Sequence, residues 1–150
     1  MRVLVQRSLE SSVTVDKKIV GKIKKGLVLL VGFTDGDTIK EIEYLAKRVV
    51  NLRIFDDENG VMNRSLLEVG GSILSISQFT LYADTKKGNR HSYIKALGGE
   101  KAKPLYDLFN QKLREYSIEV ETGIFGADMK VSILNDGPVT ILIESRSEND

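Results

Sequence analysis

The chain opens on an alternating pattern. Met1 to Gln6 carries Val3 and Val5 at every second position and predicts a strand, with Arg7 after it and a Ser-rich bend at Ser8 to Ser12. Val13 to Val15 and Ile19 to Ile23 predict a short hairpin around Asp16-Lys17-Lys18. Gly26 to Phe33 is an unbroken apolar run of strand length, as in a strand covered on both faces. The period then changes. Ile39, Ile42, Leu45, Ala46, Val49 and Val50 recur at helical spacing, and Thr38 with Glu41 has capping-box spacing. This predicts a packing helix from Thr38 to about Asn51. Leu52 to Phe55 reads as a short strand, Asp56 to Gly60 as a charged turn, and Val61 to Leu67 as the return arm. A second helix is expected from about Glu100 to Tyr116, with Ala102, Leu105, Leu108, Phe109 and Leu113 on its apolar side. Pro104 fits such a helix only in its first turn. Ile118 to Glu121, Met129 to Leu134 and Val139 to Ser145 read as further strands, and residues 146–150 as a polar, frayed tail.

One stretch breaks its own pattern. Gly71 to Tyr82 is a β-type run that starts apolar at Ile73, Leu74 and Ile76 and turns polar at Ser77-Gln78-Phe79-Thr80. Read as one strand, it sets Leu74, Ile76, Gln78 and Thr80 on one side. A polar pair continuing an apolar face at a strand end is a place for a site; a strand emerging into solvent gives the same pattern. Next comes a long loop, Ala83 to Leu97, in which Lys86, Lys87, Arg90 and Lys95 interleave with Tyr82, His91 and Tyr93. Basic and aromatic residues so mixed suit a nucleic-acid end, and also an ordinary surface loop.

Together these elements predict a single mixed α/β domain over residues 1–150, with two helices covering one face of a curled, mainly antiparallel, barrel-like sheet. Composition narrows the chemistry. The formal net charge of +1 speaks against coating nucleic acid by phosphate neutralisation over many contacts. With no Cys, thiolate nucleophiles, disulfides and zinc–thiolate sites are excluded. His91 is the single His, so one chain cannot build a metal site of several imidazoles, and no metal or other cofactor is expected. No apolar run reaches the ~18 residues of a membrane span and no signal-peptide pattern precedes the first strand, so the expected compartment is the cytoplasm.

Five segments carry a resemblance: Met1 to Arg7, Ser77-Gln78-Phe79-Thr80, Lys87-Gly88-Asn89-Arg90, Phe125-Gly126-Ala127-Asp128-Met129, and Gly137-Pro138 within Asn135 to Thr140. In this order, over a chain of this length, they resemble the D-aminoacyl-tRNA deacylases. That family continues Gly-Asn-Arg with Pro-Ser-Phe, where this chain has His91-Ser92-Tyr93. The resemblance implies a homodimer that hydrolyses the ester of D-aminoacyl-tRNA, and of glycyl-tRNA, while sparing the L-form. It implies a catalytic segment at Ser77, Gln78, Phe79 and Thr80, and an adenosine pocket at Phe125 and Met129. It also implies a cis Gly137-Pro138 that enters the partner subunit's pocket as the chiral wall, oriented by Arg7. By its residues alone, Asn135 to Pro138 reads as a hairpin turn and Phe125 equally as a core side chain.

The residues say more about mechanism than about substrate. A Ser or Thr hydroxyl needs a base, and nothing around Ser77 or Thr80 supplies one or resembles a nucleophile elbow. The segment offers backbone amides, hydroxyls and an amide side chain, which hold and polarise an ester without taking a proton. Two other classes fit the same residues: a module that binds tRNA ends without chemistry, and a structural homo-oligomer.

Overall fold

A computed structural model describes residues 1–145; the tail at 146–150 lies outside the described residues. The strands are β1 (Arg2–Ser8), β2 (Ser11–Val15), β3 (Lys18–Ile23), β4 (Gly26–Gly32), β5 (Phe55–Asp56), β6 (Met62–Arg64), β7 (Ser72–Ser77), β8 (Val120–Thr122), β9 (Lys130–Ser132) and β10 (Asn135–Glu144). The helices are α1 (Ile39–Asn51), α2 (Leu66–Val69) and α3 (Gly99–Arg114).

Local chemistry explains several elements directly. Thr38 caps α1 through a complete capping box with Glu41, and Ile42, Leu45, Ala46, Val49 and Val50 form its buried side. The β2–β3 turn holds Asp16 and Lys17 at φ 48° and 67°, the left-handed pair that matches strand twist. α2 was not anticipated. Ser65 and Glu68 form its capping box and Gly70 ends it at φ 68°, within what reads from sequence as a return arm. α3 starts at Gly99, so Pro104 is its sixth residue rather than part of its first turn.

β10-β1-β4-β7-β8 form one five-stranded sheet and β3-β2-β9 a second of three strands; β5 and β6 pair separately. Pairing is mainly antiparallel, but β7 runs parallel to both β4 and β8. The two main sheets are open and stacked, not closed into the expected barrel. α1 and α3 cover one face of the larger sheet over Val3, Val5, Leu27, Leu29, Val31 and Ile73. Val28, Leu74 and Ile76 point the other way, onto Val13 and Ile23 of the smaller sheet. This two-sided cover explains why Gly26 to Gly32 reads as continuously apolar.

The last two strands do not form the expected hairpin. β9 pairs with β2, whereas β10 pairs with β1. The chain crosses between sheets at two adjacent bends, where Leu9 N donates to Leu134 O at 3.0 Å and Leu134 N to Ser11 Oγ at 3.2 Å. Gly137-Pro138 therefore lies inside β10, as an irregularity opposite β1.

Candidate active site

β7 ends at Ser77 rather than at Tyr82. Gln78 N donates to Val31 O at 2.7 Å, and the chain then coils into a 3₁₀ turn over Phe79–Tyr82. Gly32 lets the turn pack onto the end of β4, since a Cβ there would stand 2.9 Å from Gln78 O. Gln78 and Thr80 thus do not continue the face of Leu74 and Ile76. Instead the polar segment caps the carboxyl ends of two parallel strands, where open α/β sheets commonly place ligands.

A cleft of about 640 Å³ opens there. Ser77, Gln78 and Phe79 form one side; Phe125 and Met129 form another, with Leu97 to Gly99 at the start of α3 closing the end. Sequence placed Phe125 and Met129 about fifty residues away from Ser77, and the parallel β7–β8 pairing brings them back to it. Phe125 packs on Tyr106 with ring centroids 5.8 Å apart. The Tyr106 hydroxyl donates to Ser75 O at 2.7 Å, so one buried tyrosine ties α3, the Phe125 wall and β7 together. Burial raises the Tyr106 phenol, against the opposing hydrogen bonds at Ser75 and Asn110. Tyr106 was not placed on the apolar side of α3 from sequence; its helical spacing from Ala102 and Phe109, with which it is buried, is the available signal.

The cleft offers backbone donors, and its one lining carboxylate, Asp128, is exposed and engaged by Lys130 Nζ at 2.9 Å. The amides of Phe79 and Thr80 open the 3₁₀ turn and have no acceptor among the described residues; Phe79 lines the cleft, whereas Thr80 is exposed next to it in the turn and is not on the lining. The Gln78 amide is already spent on Val31. Thr80 Oγ1 accepts from the Gln78 side-chain amide, which cannot take a proton. His91 Nε2 meets the Tyr93 hydroxyl rather than Ser77 or Thr80. Among the described residues no group of three or more His, Cys, Asp or Glu side chains is placed to hold a metal ion.

Arg7, Gly137 and Pro138 do not line this cleft. In the sheet, Asp136 to Val139 stand opposite Arg7 alone, between the pairs Ser8–Asn135 and Gln6–Thr140. Arg7 is level with Leu27 and, across β4, with Ile73, four residues short of Ser77. That offset, with three strand spacings sideways, separates Gly137-Pro138 from its own Ser77 by roughly 20 Å. The Gly137-Pro138 bond is cis and both residues are exposed. Their frame is held from two sides. Arg7 Nε donates to Asp136 O at 2.9 Å and Arg7 Nη1 to Ile54 O at 2.8 Å. Asn135 closes the other side: its Oδ1 accepts from Val139 N at 2.7 Å, and its Nδ2 donates to Thr140 Oγ1 at 2.9 Å. Asn135 was not singled out from sequence, although an Asx residue four before a backbone amide is the available signal.

The model of the family described as D-Tyr-tRNA(Tyr) deacylase matches residues 4–144. The chain belongs to this deacylase family. Proteins named D-aminoacyl-tRNA deacylase from Clostridium novyi (strain NT) and Brevibacillus brevis (strain 47) are both 59% identical to it, over 99% and 97% of this chain and 99% and 100% of theirs. A solved structure titled "c-Myc DNA Unwinding Element Binding Protein" is 38% identical, with a TM-score of 0.92 over 98% of this chain and all of that one. Another, titled as a probable eukaryotic D-amino acid tRNA deacylase, shares the fold at a TM-score of 0.82, 19% identity and 95% coverage of this chain. For a deacylase chain the two signature motifs thus lie at opposite ends of one sheet, and only the Ser77 motif faces its own cleft.

Proposed function

We propose that this protein hydrolyses the ester joining a D-amino acid to the 3′ end of tRNA, releases both, and spares the L-form. The observation that carries the mechanism is the pair of unengaged amides at Phe79 and Thr80, in a turn whose Phe79 lines a cleft where the one lining carboxylate, Asp128, is exposed and paired with Lys130. They are suited to hold the ester carbonyl and to stabilise its oxyanion. Gln78 and Thr80 shape the pocket, and Phe125 and Met129 take the terminal adenosine. An aminoacyl ester is reactive enough for this to suffice. The substrate's own 2′-hydroxyl, adjacent to the ester, assists the attacking water.

The active unit is a homodimer. Gly137-Pro138 is exposed, framed by Arg7 and Asn135, and too far from its own cleft to serve it; a second chain can present it to the cleft instead. There it is a rigid wall that an L-side chain meets, a D-side chain avoids and glycine does not reach. Glycyl-tRNA is therefore a second substrate. The work belongs to the cytoplasm, where aminoacyl-tRNA is used, and all of it is done by one domain.

The test compares amino-acid release from D-tyrosyl-tRNA, glycyl-tRNA and L-tyrosyl-tRNA, alongside sedimentation at micromolar concentration. Release from the first two and from a dimer is expected. Efficient cleavage of the L-ester, or a fully active monomer, refutes the reading; saturable binding without turnover leaves a tRNA-end binding module.

A further inference from the structure

The segment His91-Ser92-Tyr93 has no part in the mechanism above. Two backbone hydrogen bonds, Asp84 N to Ser92 O and Ser92 N to Asp84 O, both 2.8 Å, close the loop at its base. Asp84 Oδ1 accepts from Lys86 N at 2.9 Å inside it, and Tyr93 O accepts from Ala96 N at 2.9 Å just beyond it. The closure sends Lys86, Lys87 and Arg90 outward, all three exposed and without an ion-pair partner among the described residues. Lys95 instead meets Asp84 at 3.8 Å.

Tyr93 emerges from that closure at the rim of the cleft. Its ring stands edge-on to Phe79, centroids 4.8 Å apart, and edge-on to His91 at 4.5 Å, while its hydroxyl pairs with His91 Nε2. Phe79 and Tyr93 stay 54% and 40% exposed, and the neighbouring Ile94 is 87% exposed. A held aromatic that is open to solvent, following a closed loop that carries three exposed cations, suits a base and its phosphates.

We infer that Tyr93, braced by Phe79 and His91, is the stacking platform for the nucleotides that precede the terminal adenosine of the bound tRNA, and that Lys86, Lys87 and Arg90 take their phosphates. This rests on the deacylase reading, in which Phe125 and Met129 take the terminal adenosine, because Tyr93 lines the same cleft and remains open to solvent. Cations favour RNA over a second protein chain here. The platform lies beyond the adenosine, so it distinguishes a polynucleotide substrate from a nucleoside ester.

The experiment compares kcat/KM on D-tyrosyl-tRNA with that on 3′-O-D-tyrosyl-adenosine, which has no preceding nucleotides. Tyr93→Ala is expected to lose between about 5- and 150-fold more on the tRNA than on the nucleoside ester, and Tyr93→Phe to recover most of it. The combined Lys86→Ala, Lys87→Ala and Arg90→Ala variant is expected to flatten the slope of log kcat/KM against log salt by about 2. Equal losses of Tyr93→Ala on both substrates would assign Tyr93 to the adenosine cleft and overturn the inference. So would a change in its sedimentation, which would make the rim a subunit contact. If the wild type cleaves neither ester, the deacylase reading fails instead. Calorimetry with the trinucleotide CCA against adenosine then decides the platform alone, with a CCA advantage that Tyr93→Ala abolishes supporting it and equal affinities overturning it.

Discussion

Replacing Arg7 with Met removes the frame of Gly137-Pro138 without removing volume. The Arg7 side chain is 10% exposed, and its guanidinium donates to Ile54 O at 2.8 Å and Asp136 O at 2.9 Å. It also lies 3.4 Å from the Asp56 carboxylate and 3.6 Å from that of Asp136. Met keeps an unbranched stem and supplies no donor. The Ile54 carbonyl is then left dry, at a cost of ~1–3 kcal/mol. The Asp136 carbonyl is partly wetted and costs less. Asp56 and Asp136 are 53% and 42% exposed, so water screens their ion pairs and together they add at most ~1 kcal/mol. The expected loss is roughly 2–4 kcal/mol, large against the ~5–15 kcal/mol of a typical domain. Urea denaturation should show a lower midpoint at unchanged slope. Because Asp136 directly precedes Gly137, the ratio of D- to L-tyrosyl-tRNA cleavage should fall as well. Arg7→Lys should recover only part of both, since one ammonium does not span two carbonyls as a planar fork does. A stability loss below about 1 kcal/mol with an unchanged D-to-L ratio would refute the argument.

Thr80→Ala should keep much of its activity, losing well under the ~10²–10³-fold of an essential oxyanion donor, while a substrate ending in 2′-deoxyadenosine should be nearly inert. A dead Thr80→Ala with a trapped acyl-enzyme would establish covalent catalysis instead. Phe125→Ala should weaken binding of the tRNA end by ~1–3 kcal/mol in a fluorescence titration. Its ring is partly buried against the core, so it should also cost less stability than the ~3–5 kcal/mol of a fully buried Phe; unchanged binding with a large melting shift would make Phe125 a core residue only. Burial raises the Tyr106 phenol, so the folded state keeps that proton after the unfolded chain has lost it. This contribution to stability is whole below about pH 10 and is lost as pH rises through the folded value. Tyr106→Phe should remove that increment from an alkaline denaturation series, and identical alkaline limbs would show that the burial has no such effect.

The sequence by itself determined what depends on neighbours along the chain. α1 follows from Thr38, Glu41 and five apolar residues at one period, and β4 from an unbroken apolar run. The β2–β3 hairpin follows from its alternating strands and polar turn. Even α2 was written locally, in Ser65, Glu68 and Gly70, but four residues are too few to raise a periodic signal. The absence of any Cys and the single His were also legible, because they are a matter of residue types. Tertiary structure decided what depends on partners remote in sequence. β7 stops at Ser77 because the end of β4 takes the Gln78 amide and Gly32 admits the turn, and β4 lies more than forty residues earlier. Gly137-Pro138 sits within a strand because β9 and β10 follow different partners, β2 and β1, across adjacent bends. A local pattern specifies which face of a segment is apolar; it does not specify which edge a strand will pair with. That choice separated the two signature motifs by the width of a sheet, and it makes the second chain part of the proposed site.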